Sequence, residues 1–154
     1  MLASPLARCV ETASVLGLKD VVCDDRLVEM RWGTWEGRLL NDLRAELGES
    51  MRENEERGLD FEPPGGETPR LVWQRVRSLL VEVAARRMRT LAVSHRGVIR
   101  AIFAAATGWD MLGRPPIKLR WDGLHVFRLD PAGMPSVMRM NVPLVATHIG
   151  AEPG

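Results

Sequence analysis

The stretch Leu91-Ala92-Val93-Ser94-His95-Arg96-Gly97 decides the fold class. A short apolar run bounded by polar residues predicts a buried strand over Thr90 to Ser94. An apolar helical pattern, Val98 to Thr107, opens directly after the glycine and stops at Gly108, a favoured helix terminator. Strand end and helix start therefore meet at His95. In open α/β sheets, ligands bind at the carboxyl ends of strands. A helix start there offers free N–H groups and the positive end of the helix dipole, which suits an anion. His95 is placed to touch such an anion. A histidine merely hydrogen-bonded at a strand end gives the same local pattern, so the residues alone leave both uses open.

Working upstream, the clearest helix has Thr68 as cap, Pro69 at its first position and a stripe of Val72, Val76, Leu79, Leu80 and Val83. Arg86, Arg87 and Arg89 suit its C-terminal end. Pro63-Pro64-Gly65-Gly66 is a break before it. Leu39 to Leu47 predicts a helix, and the charged run Glu49 to Asp60 a solvated helix or loop. Asp24 to Gly37, with two tryptophans and two glycines, reads as a structured loop after a short strand at Val21 to Cys23. The first helix has Ser4 as N-cap, Pro5 at its first position and Gly17 as its stop, with Leu6, Val10, Ala13 and Leu16 at helical spacing. Met1-Leu2-Ala3 reads as the tail of a strand. Downstream, Leu124 to Leu129 and Val137 to Val142 predict two strands joined by a turn over Pro131 to Pro135. Helix, strand and helix alternate, so the chain is expected to be α/β with a mostly parallel sheet.

The 154 residues amount to one domain, and 45% hydrophobic residues suffice for a core. With 21 basic and 20 acidic residues, the balance argues against a nucleic-acid binder, whose footprint is a strongly basic face. The apolar stretches are too short to span a membrane, and Met1 to Arg8 lacks the features of a signal peptide. Cys9 and Cys23 make neither a disulfide framework nor a zinc site, and read as reduced thiols of a cytoplasmic protein. The three histidines lack metal-ligand spacing, so no metal is expected.

Three further segments could carry chemistry. Arg8 sits in the first turn of its helix, where a cation opposes the helix dipole by ~0.3–1 kcal/mol, and it precedes Glu11 in the poorer order for an ion pair. A residue so placed suits a ligand, although a solvated arginine would cost little. Glu29 and Glu36 lie among Trp32, Trp35 and glycines. A carboxyl group beside aromatics can serve as a general acid. The plainer reading is a surface loop pinned by the tryptophans, with Glu29 paired to Arg31 or Arg26. Pro64-Gly65-Gly66-Glu67-Thr68 could cradle a phosphate, but the lysine-bearing phosphate-loop pattern is absent.

Taken in order, these segments resemble the histidine phosphatase superfamily, which includes phosphoglycerate mutases, fructose-bisphosphatases and α-ribazole phosphatases. Ser4 to Ala13 is similar to its S-P-L-x-R-x-x-x-T-A segment. Leu27 to Gly37 is similar to its L-x-E-x-x-x-G-x-W-E-G loop, and Pro64 to Thr68 to its P-G-G-E-S/T segment. Val93 to Arg100 is similar to V-S-H-G-G-x-I-R, and Met140-Asn141 through His148 loosely to the closing N-x-x-x-H stretch.

The resemblance implies a three-layer α/β/α, phosphoglycerate mutase-like fold and phosphoryl transfer through a phosphohistidine, without metal or cofactor, on a phosphorylated small molecule. It makes Glu29 the proton donor to the leaving oxygen. His95 becomes the second histidine at the phosphoryl group, and Arg8 a phosphate-binding arginine. Gly97, and Arg96 where the family has a small residue, complete the phosphate side, Arg96 either adding a contact or obstructing one. The short Gly37-to-Pro63 region favours phosphatase over mutase. The family's nucleophile lies in an R-H-G motif at the end of its first strand, and this chain has none. The expectation is therefore a single, incomplete domain over residues 1–154, lacking the first strand and first helix and inactive as written. It is also expected to self-associate through an exposed sheet edge. The alternative is a non-catalytic anion-binding or regulatory module.

Overall fold

A computed structural model describes residues 1–144. Its elements run β1 (Leu2–Ala3), α1 (Ala7–Val15), β2 (Val22–Cys23), α2 (Leu40–Leu47), α3 (Glu49–Glu55), α4 (Pro69–Ala85), β3 (Ala92–Val93), α5 (Arg96–Thr107), β4 (Gly123–Leu129) and β5 (Pro135–Pro143). Three parallel strands form a sheet in the order β2-β1-β3, with Leu2 opposite both Val22 and Ala92. β4 and β5 form a separate antiparallel hairpin. The α/β class and the parallel sheet stand as expected.

α4 starts as its sequence dictates. Thr68 Oγ1 accepts the Leu71 N–H at 3.1 Å, Pro69 follows, and Val72, Val76, Leu79 and Val83 are buried. α5 ends in left-handed Gly108 (φ 72°), a conformation glycine adopts without steric cost. Leu2, on β1, joins Val72, Val76 and Leu79 of α4 and Val98 and Ala101 of α5 in one core. Successive strand residues face opposite ways, and α1 packs over β1 and β3 with Cys9 and Ala13 buried. A second core joins Phe103 and Ala104 of α5 with Trp109 and Leu119, beneath Phe127 and Val137 of the hairpin. α5 thus lends one part of its surface to each core.

Two sequence expectations need correcting. Ser4 is not an N-cap: α1 begins at Ala7 after Leu6, without a side-chain cap, and Val10 and Leu16 are exposed instead of facing the core. The Ser-Pro pair ends β1 and turns the chain, and the Ser4 hydroxyl is spent elsewhere. β3 is not a buried strand either, since Ala92 is exposed and Val93 half-buried. Among the described residues β1 is its one strand neighbour, so one edge of β3 stays open.

Candidate active site at the start of the last helix

β3 delivers His95 to the N-cap position of α5, and β1 delivers Ser4 beside it. His95 is only 5% exposed. Its Nδ1 accepts the Arg8 Nε–H at 3.1 Å. The ring proton therefore sits on Nε2, which donates to Ser4 Oγ at 2.7 Å. Cys9 Sγ lies 3.4 Å from the same nitrogen. Burial, and then the charges of Arg8 and Arg75, push the His95 pKa down to about 4, so the imidazole is neutral near pH 7. Burial likewise raises the Cys9 thiol, against the pull of Arg8, and keeps it protonated.

Glu29 reaches the same helix start from the loop after β2. Its Oε1 accepts the N–H groups of Met30 at 2.9 Å and Gly97 at 3.0 Å. These contacts tie the loop after β2 to the start of α5. Neither expected ion pair of Glu29 forms, because Arg26 engages Asp24 and Glu82, and Arg31 approaches Glu67. A Cβ on Gly97 would push the Glu29 carboxyl group off the Gly97 N–H and crowd Met30 Cβ. The Gly97 N–H, expected to face an anion, is engaged by Glu29. An anion at this helix start would have to share or displace this contact.

The loop carrying Glu29 is braced from below. Arg75 of α4 donates to the carbonyls of Arg26 and Val28, both at 2.6 Å, and to Glu67 Oε1 at 3.0 Å. Glu67 is buried and accepts the Arg31 N–H at 3.1 Å. Burial would raise its pKa, but Arg75 and that N–H outweigh burial and hold it below the usual carboxylate range. The glycines of the Pro64–Thr68 segment serve this brace. A Cβ on Gly33 or Gly66 would strike backbone of the facing loop, so the two loops approach main chain to main chain. They form no phosphate cradle. Trp32 and Trp35 pin the Glu29 loop against Phe61, with ring centres 5.9 and 6.0 Å away.

The start of α5 thus brings Arg8 to His95 and Glu29 to Gly97. Arg96 leans outward, its guanidinium 5.2 Å from the Trp121 ring centre. Sequence reasoning missed Ser4, Cys9, Arg75 and Trp121. Ser4 reads in the sequence as a helix cap and as part of the S-P-L-x-R segment, and nothing there ties it to His95. His125 lies on the hairpin, where Nδ1 accepts the Asn141 N–H at 3.4 Å and Nε2 is buried without a partner. His148 lies outside the described residues. Among the described residues no group of His, Cys, Asp and Glu is placed to hold a metal ion, and no helix is long and apolar enough to cross a membrane.

The fold has counterparts of known structure. A mycobacterial glucosyl-3-phosphoglycerate phosphatase in complex with inorganic phosphate superposes with a TM-score of 0.75 at 23% identity, over 93% of this chain and 76% of that one. The α-ribazole phosphatase of Shigella flexneri superposes with a TM-score of 0.70 at 23% identity, over 95% of this chain and 75% of that one. At such identities the likeness is one of fold. In sequence, phosphoserine phosphatase 1 of Hydrogenobacter thermophilus is 32% identical over 115 residues, 71% of this chain. The chain spans about half, 54%, of that relative's length. Residues 1–143 match the histidine phosphatase superfamily (branch 1) as a whole, and the chain belongs to that family.

Proposed function

We propose that this pocket takes a phosphorylated small molecule and belongs to a phosphomonoesterase that works through a phosphohistidine. The observation that carries the reading is the Arg8 guanidinium 3.1 Å from His95 at the mouth of α5, with Glu29 on the adjoining N–H. Arg8 and the helix start supply positive charge where a phosphoryl group develops negative charge. His95 Nε2–H is a neutral donor to a phosphoryl oxygen. Glu29 is the acid for the leaving oxygen. The name of the sequence relative, a phosphoserine phosphatase, supports hydrolysis over mutase chemistry.

Phosphoryl transfer through a phosphohistidine needs a nitrogen in line with the scissile bond. His95 is held by Arg8 and Ser4, and His125 is on the hairpin, so neither fills that role. On this reading the nucleophile comes from outside the described residues, and the 154-residue chain alone binds anions without family-like turnover. The open edge of β3 supports pairing with a further strand, of another copy or of a longer chain. Two free thiols, Cys9 and Cys23, suit the cytoplasm.

The test is a nitrophenyl phosphate assay near neutral pH on two proteins: the 154-residue chain, and one extended upstream by a strand, an R-H-G turn and a helix. Near-background rates are expected from the first and clear turnover, with an acid-labile phosphohistidine, from the second. Good turnover by the short chain, abolished in His95→Ala, would make His95 the nucleophile.

A further inference from the structure

Arg96 and Arg100 stand one helical turn apart on α5, so their side chains leave the same flank of the helix. Both line a groove of about 760 Å³ that also includes Glu29 and Gly97. Each guanidinium rests against an indole, Arg96 at 5.2 Å from the Trp121 ring centre and Arg100 at 5.3 Å from that of Trp109. Contact with an aromatic face limits the freedom of a long side chain and leaves the N–H edge of its fork available. The other arginines of the groove are neutralised: Arg44 by Glu55, and Arg52 by Glu49 and Glu56. Among the described residues, neither Arg96 nor Arg100 has a carboxylate partner. Desolvation is the one influence on the Arg100 pKa, which it lowers, with no acid holding it up. Trp32, Phe61, Met111 and Leu112 add apolar surface to the lining of the same groove.

We propose that Arg96 and Arg100 form a second anion site, so that the preferred substrates carry a second negative group beside the phosphate. The fork geometry suits a carboxylate held by two N–H groups. The apolar side chains in the lining suit a partly apolar body between the two anions. The proposal rests on the phosphate reading of Arg8, His95 and the start of α5. It also gives Arg96 a use: drawn aside onto Trp121, it reads the distal end of the substrate instead of filling the phosphate position.

The experiment is calorimetric titration of the 154-residue protein with carboxyalkyl phosphates of increasing methylene count, each beside the plain alkyl phosphate of equal length. At least one carboxylated ester is expected to bind about tenfold tighter than its neutral twin, the worth of one charge-assisted hydrogen bond. The advantage should shrink toward unity in Arg96→Gln and in Arg100→Gln, with circular dichroism melts confirming that both variants fold. The indole N–H resonances of Trp109 and Trp121 should move with the carboxylated esters alone. Equal affinity of every twin pair overturns the proposal and leaves the phosphate site standing. No binding of any ester overturns both. An advantage that survives in the double variant also overturns the proposal, since another cation then reads the carboxylate.

Discussion

The parallel strands β1, β2 and β3 are two residues long, whereas β4 and β5 run for seven and nine. The hairpin closes locally. Asp130 N–H donates to the Met134 carbonyl at 3.0 Å, and Asp130 Oδ1 accepts the Met134 N–H at 2.8 Å. β1 meets β3 across some ninety residues, Leu2 opposite Ala92, and parallel pairing always needs a long crossover. Side-chain contacts, all but one of them between segments distant in sequence, supplement the short ladders. Ser94 Oγ donates to the Leu27 carbonyl at 2.9 Å, His95 bonds Ser4, and Arg75 spans to Arg26, Val28 and Glu67. The hairpin leans on apolar burial against Phe103 and Trp109. Polar contacts that shape the site therefore also hold the sheet side together.

The comparison can be broken first at Glu67. Glu67→Ala leaves the Arg75 guanidinium without its acid in a largely buried place, and should cost about 3–5 kcal/mol in denaturant unfolding. Phe103→Ala should cost a similar amount on the hairpin side through a cavity. A Glu67→Ala loss below about 1 kcal/mol would mean that the polar brace does not hold the sheet side.

A smaller loss comes with acid. His95 titrates at about 4 in the folded protein, well below the ordinary value of about 6.5. The unfolded chain then binds more protons between those pH values, so folding stability is full above pH 6.5 and falls as pH drops toward 4. The fall should be about 3 kcal/mol. His95→Asn should flatten this slope in urea titrations at a series of pH values. An unchanged slope would assign the acid sensitivity to other groups, His125 foremost, since burial lowers its pKa as well.

Gly97→Ala should cost about 1–3 kcal/mol through overpacking against Glu29 and Met30. In the upstream-extended protein of the phosphatase assay it should lower turnover, because Glu29 must move. The smallest effect belongs to the hairpin surface: Met138→Ser, at a residue 55% exposed, should change stability by no more than about 0.5 kcal/mol. A loss as large as that of Glu67→Ala would erase the contrast between the two regions.

Local rules made much of the fold legible. Thr68-Pro69 with the Val72–Val76–Leu79 stripe gives α4, Gly108 ends α5, and alternating residues around a proline-flanked turn give the hairpin. Arg8, Glu29, His95 and Gly97 were legible as a set only through their motifs. Contacts that depend on distant partners left no local trace. Ser4 before Pro5 looks the same whether its hydroxyl caps a helix or meets His95, 91 residues away. Arg75 on a charged helix gives no sign that its fork reaches under another loop. The exposure of β3 was hidden for a related reason, since an apolar run does not say how many strands will lie beside it.

Both nitrogens of His95 are already engaged before any ligand arrives, Nδ1 by Arg8 and Nε2 by Ser4. Anion binding here is thus an exchange of partners, in which Arg8 or Ser4 must yield contacts that the ligand replaces. A dianion beside the imidazole also opposes what lowers its pKa, favouring the imidazolium. Binding should therefore raise the pH at which His95 titrates above its value of about 4 in the free protein. An NMR titration of the His95 ring with and without bound phosphate reads that shift directly, as a midpoint that moves up when the anion is present.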